Sequence, residues 1–220
     1  METTAASPFD HDDERRLEAF GLSTDLIHNG LRRGAGRAAN RTSHALKAAP
    51  GTDIYFDGME DFAQLLAPAG WRLVEVEGQP RLLHPDNTVA FTISSGINVG
   101  SLDQRVAPRT RRKGRATRNA LAPHTPQPML FEDEYLVDQA ELVARAAVAP
   151  LYFLLCERSI RGEGVHLEFA RPAGMTDGGS VNDWADRIGV PFLPLEGDLA
   201  IFDQPDGGSD DEFDVPVEPR

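Results

Sequence analysis

Three short segments with β-strand patterns follow one another between residues 71 and 93, and they constrain the fold more than any other feature. The segments are residues 71–76, 81–84 and 88–93. Residues 78–80 (Gly-Gln-Pro) and 85–87 (Pro-Asp-Asn) separate them, and both are typical turn sequences. Because connections this short join antiparallel neighbours, we predict a three-stranded antiparallel meander.

Helical patterns precede this meander. Ser23 or Thr24 can cap one helix, since either hydroxyl can accept a hydrogen bond from a free amide of the first turn. Asp57 and Glu60 have the spacing of a capping box, in which each side chain bonds a backbone amide near the other. We therefore predict that the helix before the meander begins at Asp57, after a turn at residues 50–51.

Further elements are expected after residue 130. A helix is predicted to start near Asp138, and the continuous apolar run 151–156 predicts a buried strand. Residues 165–169 alternate apolar and polar side chains, which indicates a return strand. Ser180 and Asp183 provide a start signal for a final helix. Its apolar residues have helical spacing: Val181, Trp184, Ala185 and Ile188.

This order of elements predicts an α+β fold. We expect a mostly antiparallel sheet of about five strands, with helices packed on one face. Residues 1–13 are predicted to be a disordered leader and residues 14–202 a single α+β domain. That domain contains a flexible basic loop at about 96–130, and residues 203–220 form a disordered acidic tail.

Charge is distributed unevenly along the chain. The net charge is −13, yet residues 101–118 contain seven basic and one acidic side chain, a net of +6. Residues 196–220 contain one basic and nine acidic side chains, a net of −8. An acidic protein can still bind an anion at one cationic segment. The acidic tail could equally occupy that segment, and these two interpretations stay open.

The basic segment is the candidate binding site. Arginine forks match phosphate and carboxylate geometry, and Ser94, Ser95, Thr110 and Thr117 can add neutral donors. No aromatic residue occurs from 92 to 130, so recognition of bases by stacking is not supported. The candidate anion- or nucleic-acid-binding residues are Arg105, Arg109, Thr110, Arg111, Arg112, Lys113, Arg115 and Arg118.

Motifs for catalysis or metal binding are absent from the sequence. The six histidines show no metal-ligand spacing, and neither a nucleophile elbow nor a phosphate-binding loop occurs. Cys156 is the only cysteine and lies in the apolar run, which indicates a buried, unreactive thiol. We predict no catalytic residue, no metal site and no cofactor, and an enzyme is the minority interpretation.

Several short segments of the chain occur together in a recognisable order. They are residues 69–71, 83–87, 108–110, 113–117, 181–184 and 214–217. With these segments the chain resembles a family of uncharacterised proteins carried on bacterial integrative and mobile elements, and the likeness extends from about residue 19 to residue 220. The resemblance implies an accessory role in element maintenance, transfer or evasion of host defence. The family pattern usually has lysine near Arg111 or Arg112, where arginine keeps the charge but changes the donor geometry.

Three functions are consistent with these features. The leading hypothesis is a non-enzymatic accessory protein that binds an anionic partner, such as nucleic acid, through the basic loop. The first alternative is an acidic inhibitor that captures a host protein through its acidic surface or tail, and the second is an enzyme acting on a phosphorylated small molecule. No apolar run is long enough for a membrane span, and residues 1–13 do not resemble a signal peptide, so we expect a cytoplasmic protein.

Overall fold

The computed structural model describes residues 11–101, 103, 105–122, 134–160 and 163–195. The predicted tail, residues 1–10 of the predicted leader and residues 123–130 of the predicted loop lie outside this part. The helices are α1 (His11–Glu18), α2 (Thr24–Ala39), α3 (Ala49–Leu66), α4 (Arg115–Leu121) and α5 (Glu134–Val148). The strands are β1 (Arg72–Val76), β2 (Gln79–Leu83), β3 (Ala90–Ile97), β4 (Arg109–Thr110), β5 (Leu151–Arg158), β6 (Gly164–Met175) and β7 (Val181–Pro194).

Seven strands form one mixed sheet within the described residues. Their order is β1-β2-β3-β5-β6-β7, and β4 pairs with β3 off this path. Strands β3 and β5 are parallel, whereas the other neighbours are antiparallel. The α+β class, the mostly antiparallel sheet and the meander β1-β2-β3 are confirmed. The parallel pair was not predicted; it is possible because the long connection with β4, α4 and α5 returns the chain to the same end of the sheet.

Strand β7 replaces the predicted final helix, and this prediction was wrong. The strand pairs with β6 along its length, but the pairing has register shifts between Val165 and Leu167 and at three further places. Val181 is buried on the face where α4 packs, whereas Ile188 is buried on the opposite face, in the core shared with α1, α2 and α3. An odd spacing places two strand residues on opposite faces, so their seven-residue spacing, which also fits a helix, results from burial on both faces. Together with β4, β7 raises the strand count from the predicted five to seven.

Helices cover both faces of the sheet, not one as predicted. Tyr152, Leu154 and Cys156 of β5 belong to the apolar core shared with α1, α2 and α3. Leu151 and Phe153 face the opposite side, where α4 packs, and α5 packs nearby against β1 and β2. A central strand that is buried on both faces has a continuous apolar sequence. The continuous apolar run 151–156 is therefore consistent with a sheet whose two faces are both covered by helices.

Helix α3 begins eight residues before the predicted start. Pro50 lies in its first turn, where proline is tolerated because the amide there has no helical partner. Asp57 is in the helix interior and is buried, and its Oδ1 atom lies 3.2 Å from Nη1 of Arg37 in α2. The residues 50–51 therefore begin a helix and do not form a separate turn. By contrast, the predicted cap Ser23 does accept a hydrogen bond from the Leu26 amide, at 3.1 Å.

Two glycines allow α2 and α3 to approach closely. A Cβ atom on Gly30 would lie 2.5 Å from the Phe62 ring, and one on Gly34 would lie 2.8 Å from the carbonyl oxygen of Asp53. No ordinary side chain fits at such distances. Ion pairs follow the same helix pair along its more exposed side: Arg33 with Asp61, Arg37 with Asp57, and Arg41 with Asp53.

Helix α1 begins at His11, inside the segment predicted as a leader. Its position is fixed by β7, since the Gly189 amide donates to Asp13 Oδ2 at 3.1 Å. Arg16 also donates to the carbonyl oxygen of Arg187 at 3.0 Å. The folded part of the chain therefore starts before the predicted boundary at residue 14.

On the other face, Arg81 joins α4 and α5 to the sheet. Its guanidinium is fully buried and donates to the carbonyl oxygens of Ala116 in α4, at 3.1 Å, and Ala146 in α5, at 3.0 Å. A third bond runs to Gln79 Oε1 at 3.0 Å. Burial lowers the Arg81 pKa to about 10, so the group stays charged at neutral pH.

Candidate functional site

The described part of the basic segment is anchored to β7, contrary to the predicted flexible loop. The Trp184 indole donates to the Pro108 carbonyl oxygen at 2.7 Å, and the Val181 amide donates to Thr110 Oγ1 at 3.0 Å. The Lys113 amide donates to the Gly179 carbonyl oxygen at 2.8 Å. These bonds hold residues 108–113 across the end of the sheet, and α4 follows them directly.

The eight candidate residues do not form a single surface. Arg111 and Lys113 line one cleft, whereas Arg118 lines a separate depression beside Met175. Thr110 is buried and has a structural role, because its hydroxyl oxygen accepts the Val181 amide. The side chains of the remaining four candidates are exposed: Arg105, Arg109, Arg112 and Arg115. The Nε atom of Arg115 lies 3.7 Å from Oε2 of Glu77.

The cleft forms where β2 separates from β3. The two strands pair only at Leu82–Phe91 and Leu83–Ala90, and β4 pairs with β3 only at Gly96 and Ile97, so this edge of β3 has no paired strand from residue 92 to residue 95. The cleft occupies about 640 Å³ and is bordered by residues 92–97 of β3, residues 156–158 of β5 and the first turns of α3. It therefore lies at the carboxyl ends of the parallel pair β3–β5, the position where ligands bind in open sheets with parallel strands.

Lys113 reaches the floor of this cleft. Its Nζ atom donates to the Ser94 hydroxyl and lies 5.3 Å from the centre of the Phe153 ring. Among the described residues it has no carboxylate partner. Burial disfavours the charged ammonium and lowers the Lys113 pKa from 10.5 to about 8. The amine thus remains mostly charged at pH 7, at an energetic cost that no acid in the described part of the chain offsets.

The lining of the cleft is cationic overall. Lys47 lies before α3, Arg111 after β4 and Arg158 at the end of β5, so three further basic residues surround Lys113. Glu157 is the acidic lining residue, and its Oε2 atom already accepts the Val99 amide at 2.8 Å. A cleft with this balance of charge attracts anions.

One wall of the cleft is apolar. Phe56 and Ile97 line it and are 65% and 53% exposed, so both present large apolar side chains to the cleft opening. Tyr55 also lines the cleft, and burial raises the pKa of its hydroxyl. Apolar and cationic surface therefore meet in one cavity, a combination typical of sites for small organic ligands.

Cys156 also borders the cleft, but its thiol is unreactive. Its side chain is buried, and burial raises the pKa of the thiol to about 12. The thiolate is consequently scarce at neutral pH, which agrees with the prediction of an inert thiol.

Sequence patterns identified Arg111, Lys113, Ser94 and Ser95 as candidates for anion binding but did not identify Lys47, Phe56 or Arg158. Lys47 and Phe56 lie more than a hundred residues before Arg158, and none of the three has a motif of its own. They meet because β3 and β5 pair in parallel and α3 begins beside the ends of these strands. The uninterrupted apolar run 151–156 was the one available signal. Such a run indicates a central strand, and ligands bind at the carboxyl ends of central parallel strands.

Within the described ranges, no helix is both long and apolar enough to cross a membrane. No group of three or more His, Cys, Asp or Glu side chains in those ranges could hold a metal ion. No protein-family model, curated protein or solved structure matches the chain. Evidence about function therefore comes from the geometry of the cleft.

Proposed function

We propose that this protein binds a small organic anion in the cleft between β2, β3, β5 and α3. The observation that carries this proposal is the Lys113 ammonium, which is desolvated in the cleft floor without a carboxylate partner among the described residues. A buried charge of this kind is unfavourable unless it is paired. A phosphate or carboxylate group bound beside Lys113 supplies the missing partner.

The surroundings of Lys113 define the ligand further. The cavity of about 640 Å³ has the size of a typical small-molecule site. Arg111, Lys47 and Arg158 favour a negatively charged group, and Arg111 and Arg158 can bind phosphate or carboxylate through two parallel hydrogen bonds. Phe56 and Ile97 favour an apolar body attached to that group. We expect a phosphorylated or carboxylated molecule with an apolar or aromatic part.

Thermal unfolding in the presence of defined anions tests this proposal. The probes are inorganic pyrophosphate, citrate and AMP, each added to wild type, Lys113→Met and Arg118→Gln. A probe present at a hundred times its Kd stabilises the fold by about 2.7 kcal/mol. For a chain of this size that corresponds to a rise in Tm of roughly 5–10 °C.

We expect at least one probe to raise the Tm of wild type and of Arg118→Gln but not that of Lys113→Met. Arg118 is a suitable control because it is a basic residue of the same segment that lines a different depression. Equal shifts for wild type and Lys113→Met contradict the role of Lys113. The absence of a shift with every probe contradicts the proposal as a whole.

Binding of nucleic acid is a second candidate, supported by a different observation. Arg109, Arg112 and Arg118 are exposed and form no ion pair with another described residue. Contacts to phosphates through such side chains weaken as salt concentration rises. Under this alternative, the triple charge reversal Arg109→Glu, Arg112→Glu and Arg118→Glu abolishes salt-sensitive binding of a labelled DNA duplex. Unchanged duplex binding by that variant contradicts it.

A further inference from the structure

We infer that Ser94 and Lys113 form a nucleophile–base pair that hydrolyses an ester of a small anionic substrate in the cleft. In the resting structure the Lys113 Nζ atom donates directly to Ser94 Oγ, the Ser94 hydroxyl donates to the Ser95 carbonyl oxygen at 3.1 Å, and both residues line the cleft. Once the amine is neutral, the same contact lets it accept the hydroxyl proton. This inference rests on the same cleft as the proposed function and adds a reaction to it. A serine with a lysine as its base is a known variant of the catalytic triad.

A lysine acts as a base only when its amine is neutral, and the environment of Lys113 favours that form. Burial lowers its pKa to about 8, so an appreciable neutral fraction exists slightly above neutral pH. The other basic groups that line the cleft are Lys47, Arg111 and Arg158. Burial is the cause of the lowered Lys113 pKa.

The acidic and weakly acidic groups around the cleft do not reverse this tendency. Glu157 is engaged by the Val99 amide. Tyr55 and Cys156 both have a raised pKa because of burial, and they remain neutral in the range where Lys113 titrates. Of Lys113, Tyr55 and Cys156, Lys113 is therefore the group that titrates near pH 8.

The reaction begins when the Ser94 oxygen attacks the ester carbonyl carbon while the neutral Lys113 amine accepts the hydroxyl proton. The ester C–O bond breaks, the departing alkoxide takes that proton from Lys113, and an acyl group remains on Ser94. A solvent water then gives a proton to Lys113 while its oxygen attacks the acyl carbon. The bond to Ser94 breaks, Ser94 recovers a proton from Lys113, and the carboxylic acid leaves.

The cleft also defines how such a substrate lies. Arg111 and Arg158 are the residues that hold its negatively charged group, because each guanidinium can bind a phosphate or carboxylate through two parallel hydrogen bonds. Lys113 does not bind that group during the reaction, since an anion beside the amine would favour the ammonium. Phe56 and Ile97 contact the apolar portion of the substrate. The ester carbonyl then lies between these two regions, beside Ser94.

Covalent labelling with a fluorophosphonate probe tests the pair, because this reagent phosphonylates activated serine hydroxyls. The extent of labelling is measured from the mass of the intact protein, and the labelled residue is identified by peptide mass spectrometry. Both measurements are made on wild type, Ser94→Ala, Lys113→Met and Ser101→Ala. We expect wild type and Ser101→Ala to be labelled on Ser94. We also expect no label on Ser94→Ala and a rate about 100-fold lower for Lys113→Met. The wild-type rate rises with pH and levels off above about pH 8, where Lys113 has lost its proton.

Labelling of Ser94→Ala at the wild-type rate, or a wild-type rate without this pH dependence, overturns the inference. Pyrophosphate-induced stabilisation of Ser94→Ala is measured on the same samples and confirms that this variant is folded. Stabilisation by pyrophosphate without any labelling of wild type contradicts the reaction but leaves the proposed anion site in place. Absence of both stabilisation and labelling contradicts both.

Discussion

Replacing Lys113 with methionine should make the protein more stable, which is the opposite of the usual effect of a mutation in a folded core. A pKa depressed from 10.5 to about 8 corresponds to about 3 kcal/mol of destabilisation while the amine is protonated. The hydrogen bond to Ser94 and the contact with the Phe153 ring each offset about 1 kcal/mol of this destabilisation. Methionine has a similar length and no charge, so we expect a net gain of about 1–2 kcal/mol at pH 7.

The size of the effect changes with pH in a defined way. Below about pH 8 the lysine is protonated in both the folded and the unfolded chain, and the full cost of burying the ammonium is present. Between about pH 8 and 10.5 the folded chain loses the proton first, so the contribution of this group to the free energy of unfolding rises. The advantage of Lys113→Met should therefore shrink as pH increases through that window.

Urea denaturation at pH 7 and pH 9.5 measures this difference directly. Arg118→Gln serves as the control, since its exposed side chain should change the unfolding free energy by less than about 0.5 kcal/mol. If the gain in unfolding free energy for Lys113→Met is smaller at pH 9.5 than at pH 7, the result fits a lysine that is retained for binding at the expense of stability. A loss of more than about 1 kcal/mol at pH 7 would refute the reasoning and make Lys113 a structural residue.

Two further predictions concern the packing of the helices, between α2 and α3 and around Arg81. Gly30→Ala places a methyl group against the Phe62 ring and should lower the free energy of unfolding by about 1–3 kcal/mol. Gly36→Ala, in the same helix but with no atom within 4 Å of its Cβ position, should raise it by about 0.5–1 kcal/mol in the same urea titration. Arg81→Ala leaves two buried helix carbonyl groups without their donor and should cost about 3 kcal/mol or more, whereas exposed Arg72→Ala should cost less than about 0.5 kcal/mol. Equal effects within either pair contradict the packing described for α2–α3 or for Arg81.

Local patterns predicted those elements whose neighbours in space are also neighbours in sequence. The meander is such a case, because β1, β2 and β3 are joined by short turns and each strand has its partner next in the chain. The strand at 151–156 was predicted for a related reason, since a short continuous apolar run is typical of a strand buried on both faces. Element types that depend on distant pairing were harder to predict.

Strand β7 and helix α3 illustrate that difficulty. The apolar spacing of Val181 and Ile188 fits a helix, but the segment pairs with β6 as a strand and buries these two residues on opposite faces of the sheet. Asp57 and Glu60 fit a helix start, but Asp57 instead pairs with Arg37 across α2–α3 in the helix interior. In both cases tertiary contacts overrode a local signal of moderate strength.

The candidate site was predictable only in part. Charge density singled out the basic segment, but an excess of arginine does not indicate which side chain enters a cavity. Lys113 does so because the Gly179 carbonyl oxygen and the Ser94 hydroxyl fix its backbone and side chain. The remaining lining residues depend on the parallel pairing of β3 and β5, which joins segments that short-range patterns cannot relate.

The most direct test of the account is the pKa of Lys113 itself, measured by NMR in protein containing isotope-labelled lysine. Lys113→Met identifies its signal, and the titration is repeated with saturating pyrophosphate. We predict a pKa of about 8 in the free protein and a clear rise when the anion is bound, because a neighbouring negative charge favours the ammonium. A Lys113 pKa near 10.5 in the free protein, or one that pyrophosphate leaves unchanged, would contradict an anion site at this lysine.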